Sequence, residues 1–107
     1  MHFDALDVSL KLIRALRPIV KKIKMQDPKE AEQMTSAASS VCRSLSEGRM
    51  RVGRDRPHLF RIASGSASEV RTGLLIAQAW GWVTQDEVAE AEALSDRLAA
   101  MMWRLTH

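Results

Sequence analysis

Two helix-start signatures, Asp27-Pro28-Lys29-Glu30 and Thr84-Gln85-Asp86-Glu87, each precede a run of apolar residues spaced three and four apart. Thr84 and Glu87 form a capping box, and Val83 and Val88 stand where a hydrophobic staple would close over it. Asp27 suits the cap position and Pro28 the first turn, with Glu30 completing a capping-box-like pair. Behind the first start run Ala31, Met34, Ala38, Val41 and Leu45; behind the second run Val88, Ala91, Ser95, Leu98, Met102 and Leu105. This is the period of helices with one buried face.

Two further helices complete the chain. In the first, Phe3, Leu6, Leu10, Ile13, Val20 and Ile23 recur at heptad spacing, and a second row runs through Leu12, Leu16, Ile19 and Ile23. Pro18 falls inside it, where a proline costs roughly 3 kcal/mol and bends the axis or starts a new segment. The other opens at Asp55, read as its cap, with Pro57 in its first turn. Its inward face reads Leu59, Ile62, Ala63, Ser66, Val70, Gly73, Leu74, Ala77 and Trp80. Glycine in a helix costs about 1 kcal/mol relative to alanine, so Gly65 and Gly73 suggest a second backbone close by. Gly48 is read as the left-handed end of the second helix. Gly81 is read as that of the third, with Trp82 folding back onto it. The spacing predicts helices near 3–24, 28–47, 55–80 and 84–106. Three short breaks imply one all-α domain over 1–107, an antiparallel up-down-up-down four-helix bundle.

The composition narrows function mainly by exclusion. The single cysteine, Cys42, has no internal disulfide partner and reads as a buried thiol beside the second helix's core row. No signal-peptide pattern and no apolar run of membrane-spanning length is present, so a cytoplasmic bacterial protein without a membrane partner is expected. Of the three histidines, His2 and His107 lie at or beside the ends of the sequence and only His58 is internal. No Glu-x-x-His pair suits a di-iron bundle and no Cys/His spacing suits zinc, so neither a metal nor a cofactor is expected. Ser64-Gly65-Ser66 resembles a nucleophile turn only superficially, because no strand precedes it and no histidine base is near in sequence. The expectation is a non-enzymatic protein.

Charge is unevenly placed. Residues 1–61 hold 13 Lys/Arg against 7 Asp/Glu, whereas residues 62–107 hold 3 against 6. One basic zone comprises Arg43, Arg49, Arg51, Arg54 and Arg56, with Arg61 just beyond. A second comprises Lys21, Lys22 and Lys24. In an antiparallel bundle these zones lie at opposite ends. Either they contact RNA or DNA phosphates, or they pair with the acidic last helix around Asp86, Glu87, Glu90 and Glu92, in the same or a neighbouring chain. Trp103 lies off the core stripe, beside Ala89, Ala93 and Ala100. It reads as a contact with another subunit or as an added edge of the core.

The run Ser44-Leu45-Ser46-Glu47-Gly48-Arg49-Met50-Arg51, followed by Ile62-Ala63-Ser64-Gly65-Ser66-Ala67-Ser68-Glu69-Val70, resembles the signature of a small family. That family was first noticed in reading frames within intervening sequences of bacterial large-subunit ribosomal RNA, and is also called S23-like. The matching positions are Ser40, Glu47, Gly48, Arg51, Gly65, Ser66, Glu69 and Gly81; the family's usual Asn-Ile-Ala before Glu-Gly is Ser44-Leu45-Ser46 here. The resemblance implies a four-helix bundle that assembles into a homopentamer. The accessory protein of diversity-generating retroelements is similar in fold; it pairs with a reverse transcriptase and binds nucleic acid through a basic surface. Structural roles are expected first for the two motif glutamates. Arg43 would offset Glu47 near a helix C-terminus, and Arg51 or Arg61 would partner Glu69 if it were buried.

Overall fold

A computed structural model describes residues 4–107, which form four helices: α1 (Asp4–Gln26), α2 (Pro28–Met50), α3 (Asp55–Ala79) and α4 (Gln85–Thr106). Phe3 and His2 lie outside the described residues. Each helix is 22 to 25 residues long. At 1.5 Å per residue each spans most of the 43 Å long axis. Connections of one, four and five residues leave no room for a crossover, so successive helices run antiparallel. Side-chain pairs record the register: Cys42 donates to Ser9 at 3.2 Å, Ser66 to Ser40 at 2.9 Å, and Arg71 reaches Glu92 and Asp96. α4 closes the bundle against α1.

The core of α1 is Ala5, Val8, Leu12, Leu16, Ile19 and Ile23. Of its two apolar rows only this one is fully inside; Leu6, Ile13 and Val20 are half-buried and Leu10 is exposed. α1 is one continuous helix through Pro18. Pro18 and Arg14 are both exposed, so the carbonyl that loses its hydrogen bond can be satisfied by water. The Asp27 side chain accepts hydrogen bonds from the amides of Lys29 at 3.0 Å and Glu30 at 3.2 Å. The reciprocal half of a capping box is missing, because the Asp27 amide already donates to the Ile23 carbonyl at 2.7 Å. The α2 row Ala31, Met34, Ala38, Val41 and Leu45 is buried as expected. Cys42 is only half-buried.

Four expectations need correction around α3. Gly48 does not end α2: it is buried inside the helix, and the left-handed turn comes later, at Gly53 with φ 69°. An added Cβ on Gly48 would meet Cε1 of Phe60 at 2.6 Å, so Gly48 lets a ring approach. Gly65 has nothing within 4 Å of such a Cβ, and Gly73 faces only the Met34 methyl, so neither marks a backbone contact. Asp55 is the first residue of α3, not its cap; Arg54 holds that place without a side-chain bond. The inward face of α3 is Phe60, Ala63, Ala67, Val70, Leu74 and Ala77, while Ile62 and Trp80 are exposed. The run Leu59-Phe60 fits two helical rows equally, and the small residues that follow do not separate them.

The far end of the bundle follows expectation. Gly81, with φ 77°, terminates α3; its amide donates to Gln78, and that of Trp82 to Ala77. Thr84 accepts from the Glu87 amide at 3.2 Å while the Thr84 amide donates to the Glu87 carboxylate at 2.9 Å. Val83 and Val88 are buried beneath this box, and Val88, Ala91, Ser95, Leu98 and Met102 line the core.

Candidate nucleic-acid interface

The two basic zones do lie at opposite ends, and their surroundings differ. At the α1–α2 turn, Lys22 hydrogen-bonds the carboxylate of Glu87 in the first turn of α4. This bond, followed by the Thr84 amide, holds the Glu87 carboxyl below the usual carboxylate range. Asp27, Glu30 and Glu32 at the start of α2, and Asp86, Glu87 and Glu90 at the start of α4, share that end with Lys21, Lys22 and Lys24. Acids at a helix N-terminus favour the helix dipole. Their placement by capping therefore offsets the lysines.

The other end is dominated by arginine. Arg43 and Arg49 come from α2, Arg51 and Arg54 from the connection, and Arg56 and Arg61 from α3; all six are exposed. α4 returns to this end and adds exposed Arg104. Among the described residues one ion pair falls within this cluster, Arg51 to Asp55 at 3.8 Å, with both side chains largely in water. The Arg56 guanidinium lies 5.4 Å from the centroid of the Phe60 ring. The acidic face of α4 is engaged elsewhere: Arg71 Nη1 is 2.5 Å from Glu92, and its Nε is 3.2 Å from Asp96. Arg71 was not singled out from sequence. Its signal was the Glu92/Asp96 pair, one turn apart on the facing helix.

The motif residues take structural places along the α2–α3 seam. Ser40 and Ser66 hydrogen-bond across it, and Gly48 receives Phe60. Glu47 is exposed and no ion pair joins it to Arg43 among the described residues. Glu69 is also exposed, in an open groove whose wall includes Lys29, Gln33 and Thr72. It needs neither Arg51 nor Arg61. Trp103 is 62% exposed, which excludes the reading as a core edge within the single chain. No group of three or more His, Cys, Asp or Glu among the described residues is arranged to hold a metal, and no described helix is long and apolar enough to cross a membrane.

The family model for the 23S rRNA-intervening sequence protein matches residues 3–104. The chain belongs to this family. A crystal structure of a protein from the S23 ribosomal protein family of Bacteroides thetaiotaomicron, itself described as of unknown function, superimposes with a TM-score of 0.82. The alignment covers 95% of this chain and 97% of that one at 17% identity, so the likeness is one of fold. No curated protein matches the chain. Neither the family's description nor that of the solved relative names a reaction.

Proposed function

We propose that this member of the intervening-sequence family is a non-enzymatic, self-associating cytoplasmic module that binds nucleic acid through its arginine-rich end. The observation that carries the reading is the convergence of exposed arginines from three helices and a connection where one weak ion pair is formed. Salt bridging engages Lys22 of the lysine end through Glu87, and Glu92 and Asp96 of α4 through Arg71. At the other end Arg43, Arg49, Arg51, Arg54, Arg56, Arg61 and Arg104 outnumber the acids Asp4, Asp7, Glu47 and Asp55. Guanidinium groups bind phosphate oxygens in bidentate fashion, and such contacts track the backbone without reading sequence. Repeating the end around a homo-oligomer, the pentamer implied by family resemblance, multiplies weak contacts into avidity.

The test is fluorescence anisotropy with generic RNA and DNA across a salt series. Changing Arg49, Arg51 and Arg54 together to Glu should abolish binding, while changing Lys21 and Lys24 to Glu should have a much smaller effect. Binding that survives the arginine reversal in a folded variant favours a protein-interaction scaffold. That second reading draws on the outer apolar row of α1, where Ile13, Val20 and Ala38 line an open groove beside Arg17.

A further inference from the structure

We infer that Trp103 is a base-stacking platform that gives the arginine-rich end a preference for single-stranded nucleic acid. This rests on the nucleic-acid reading above and specifies which form of the polymer is held, and by what.

Trp103 sits seven residues beyond Asp96, so the two share a face of α4. Asp96 meets Arg71 of α3, which places Trp103 on the flank of α4 that borders α3. The antiparallel register puts it level with the second turn of α3, where Arg61 is exposed, and Arg104 follows it directly. The indole is held in a defined orientation. The His107 ring stacks on it with centroids 4.3 Å apart and planes inclined by 6°, and His107 Nδ1 lies 3.0 Å from the Trp103 carbonyl. One face of the indole is covered, yet the residue remains 62% exposed, so the opposite face is open to solvent. A fixed aromatic ring loses little freedom when a base settles on it. Aromatic platforms beside cationic tracks are how unpaired bases are held without sequence reading. The bases of a duplex are already stacked on one another and offer such a ring nothing.

Trp80 supplies an internal comparison. It is 71% exposed and stacks on Trp82 with centroids 6.0 Å apart. It stands, however, at the end where Asp86, Glu87 and Glu90 offset Lys21, Lys22 and Lys24, so the arginine cluster is not beside it.

The experiment measures fluorescence anisotropy of labelled oligo(U), oligo(dT) and a mixed-sequence duplex of equal length, at low salt. Trp103→Leu should weaken both single strands by about 5- to 160-fold, the range expected for losing one stacked base, and leave the duplex unchanged. Trp103→Phe should retain most of the affinity and Trp80→Leu all of it. A difference between oligo(U) and oligo(dT) would assign the strand to RNA or DNA, with the platform upheld in either case. Equal loss on single strand and duplex, or no loss on either, overturns the platform while leaving the arginine interface standing. A Trp103→Leu variant whose native mass falls to a smaller assembly makes Trp103 a contact between copies, which also overturns it. Wild-type protein that binds none of the three probes defeats the nucleic-acid reading itself.

Discussion

A methyl group added at Gly48 would fall 2.6 and 2.9 Å from two ring carbons of Phe60, which is itself fully buried and has no room to retreat. Overpacking of this kind costs about 1–3 kcal/mol, and the gain in helix propensity returns at most about 1 kcal/mol. Gly48→Ala should therefore lower the urea midpoint. Gly65→Ala should raise it, by about 0.5–1 kcal/mol, because that position is helical, exposed and free of neighbours. Opposite signs for two identical substitutions would confirm the packing of α2 on α3; equal signs would refute it. Both glycines belong to the family motif; from sequence Gly48 looked like a helix end and Gly65 like a place of close approach. What separates them is the side chain of Phe60, which lies on another helix and leaves no trace in the residues around Gly48.

Helix termini were the most legible elements, because capping chemistry is local. Thr84, Glu87 and the Val83/Val88 staple stand where the spacing put them. Glu87 also carries the bond from Lys22, which no local pattern announces. Its carboxyl is held below the ordinary range in the folded protein, so its contribution to stability is complete above the unfolded value and is lost as pH falls through the folded one. Glu87→Gln should be less stable than wild type at neutral pH, and the gap should close as pH drops below the ordinary carboxylate value near 4.5. Thermal melts at pH 7 and pH 3 read this directly; a constant gap would show that the bond from Lys22 does not matter. Asp27→Ala removes the bonds to two amides and should cost about 1 kcal/mol. The end of α2 was less legible because a glycine near a basic turn resembles a terminator, whereas the chain continues helical to Met50 and turns at Gly53.

At the scale of the molecule, the half-buried outer row of α1 is the feature a single bundle leaves unused. Leu10 is 39% exposed, with Leu6 and Ile13 partly covered on either side. Surfaces of this kind support symmetric assembly. Leu10→Glu should therefore shift native mass spectra toward smaller species while circular dichroism stays helical. An unchanged mass distribution would place the contact elsewhere. The polarity of the arginine end was half legible. Sequence placed the two basic zones at opposite ends and named Asp86, Glu87 and Glu90 among the acids that could pair with them, but not which zone those acids meet, nor the return of Arg104 and Trp103 beside the other. Those depend on the direction of α4, a long-range property.

The connections have a kinetic consequence. One residue joins α1 to α2, four join α2 to α3 and five join α3 to α4, so each antiparallel pair closes through a minimal loop. Short closures cost little entropy, and topologies dominated by local contacts fold in microseconds to milliseconds. The seating of α4 on α1 joins parts of the described chain that are farther apart in sequence than those joined by successive helices. Stopped-flow refolding of the bundle should be dominated by a phase near or below the dead time, and a slow phase that depends on protein concentration should report assembly of copies, as distinct from the concentration-independent isomerisation of Pro18, Pro28 and Pro57 in the unfolded chain.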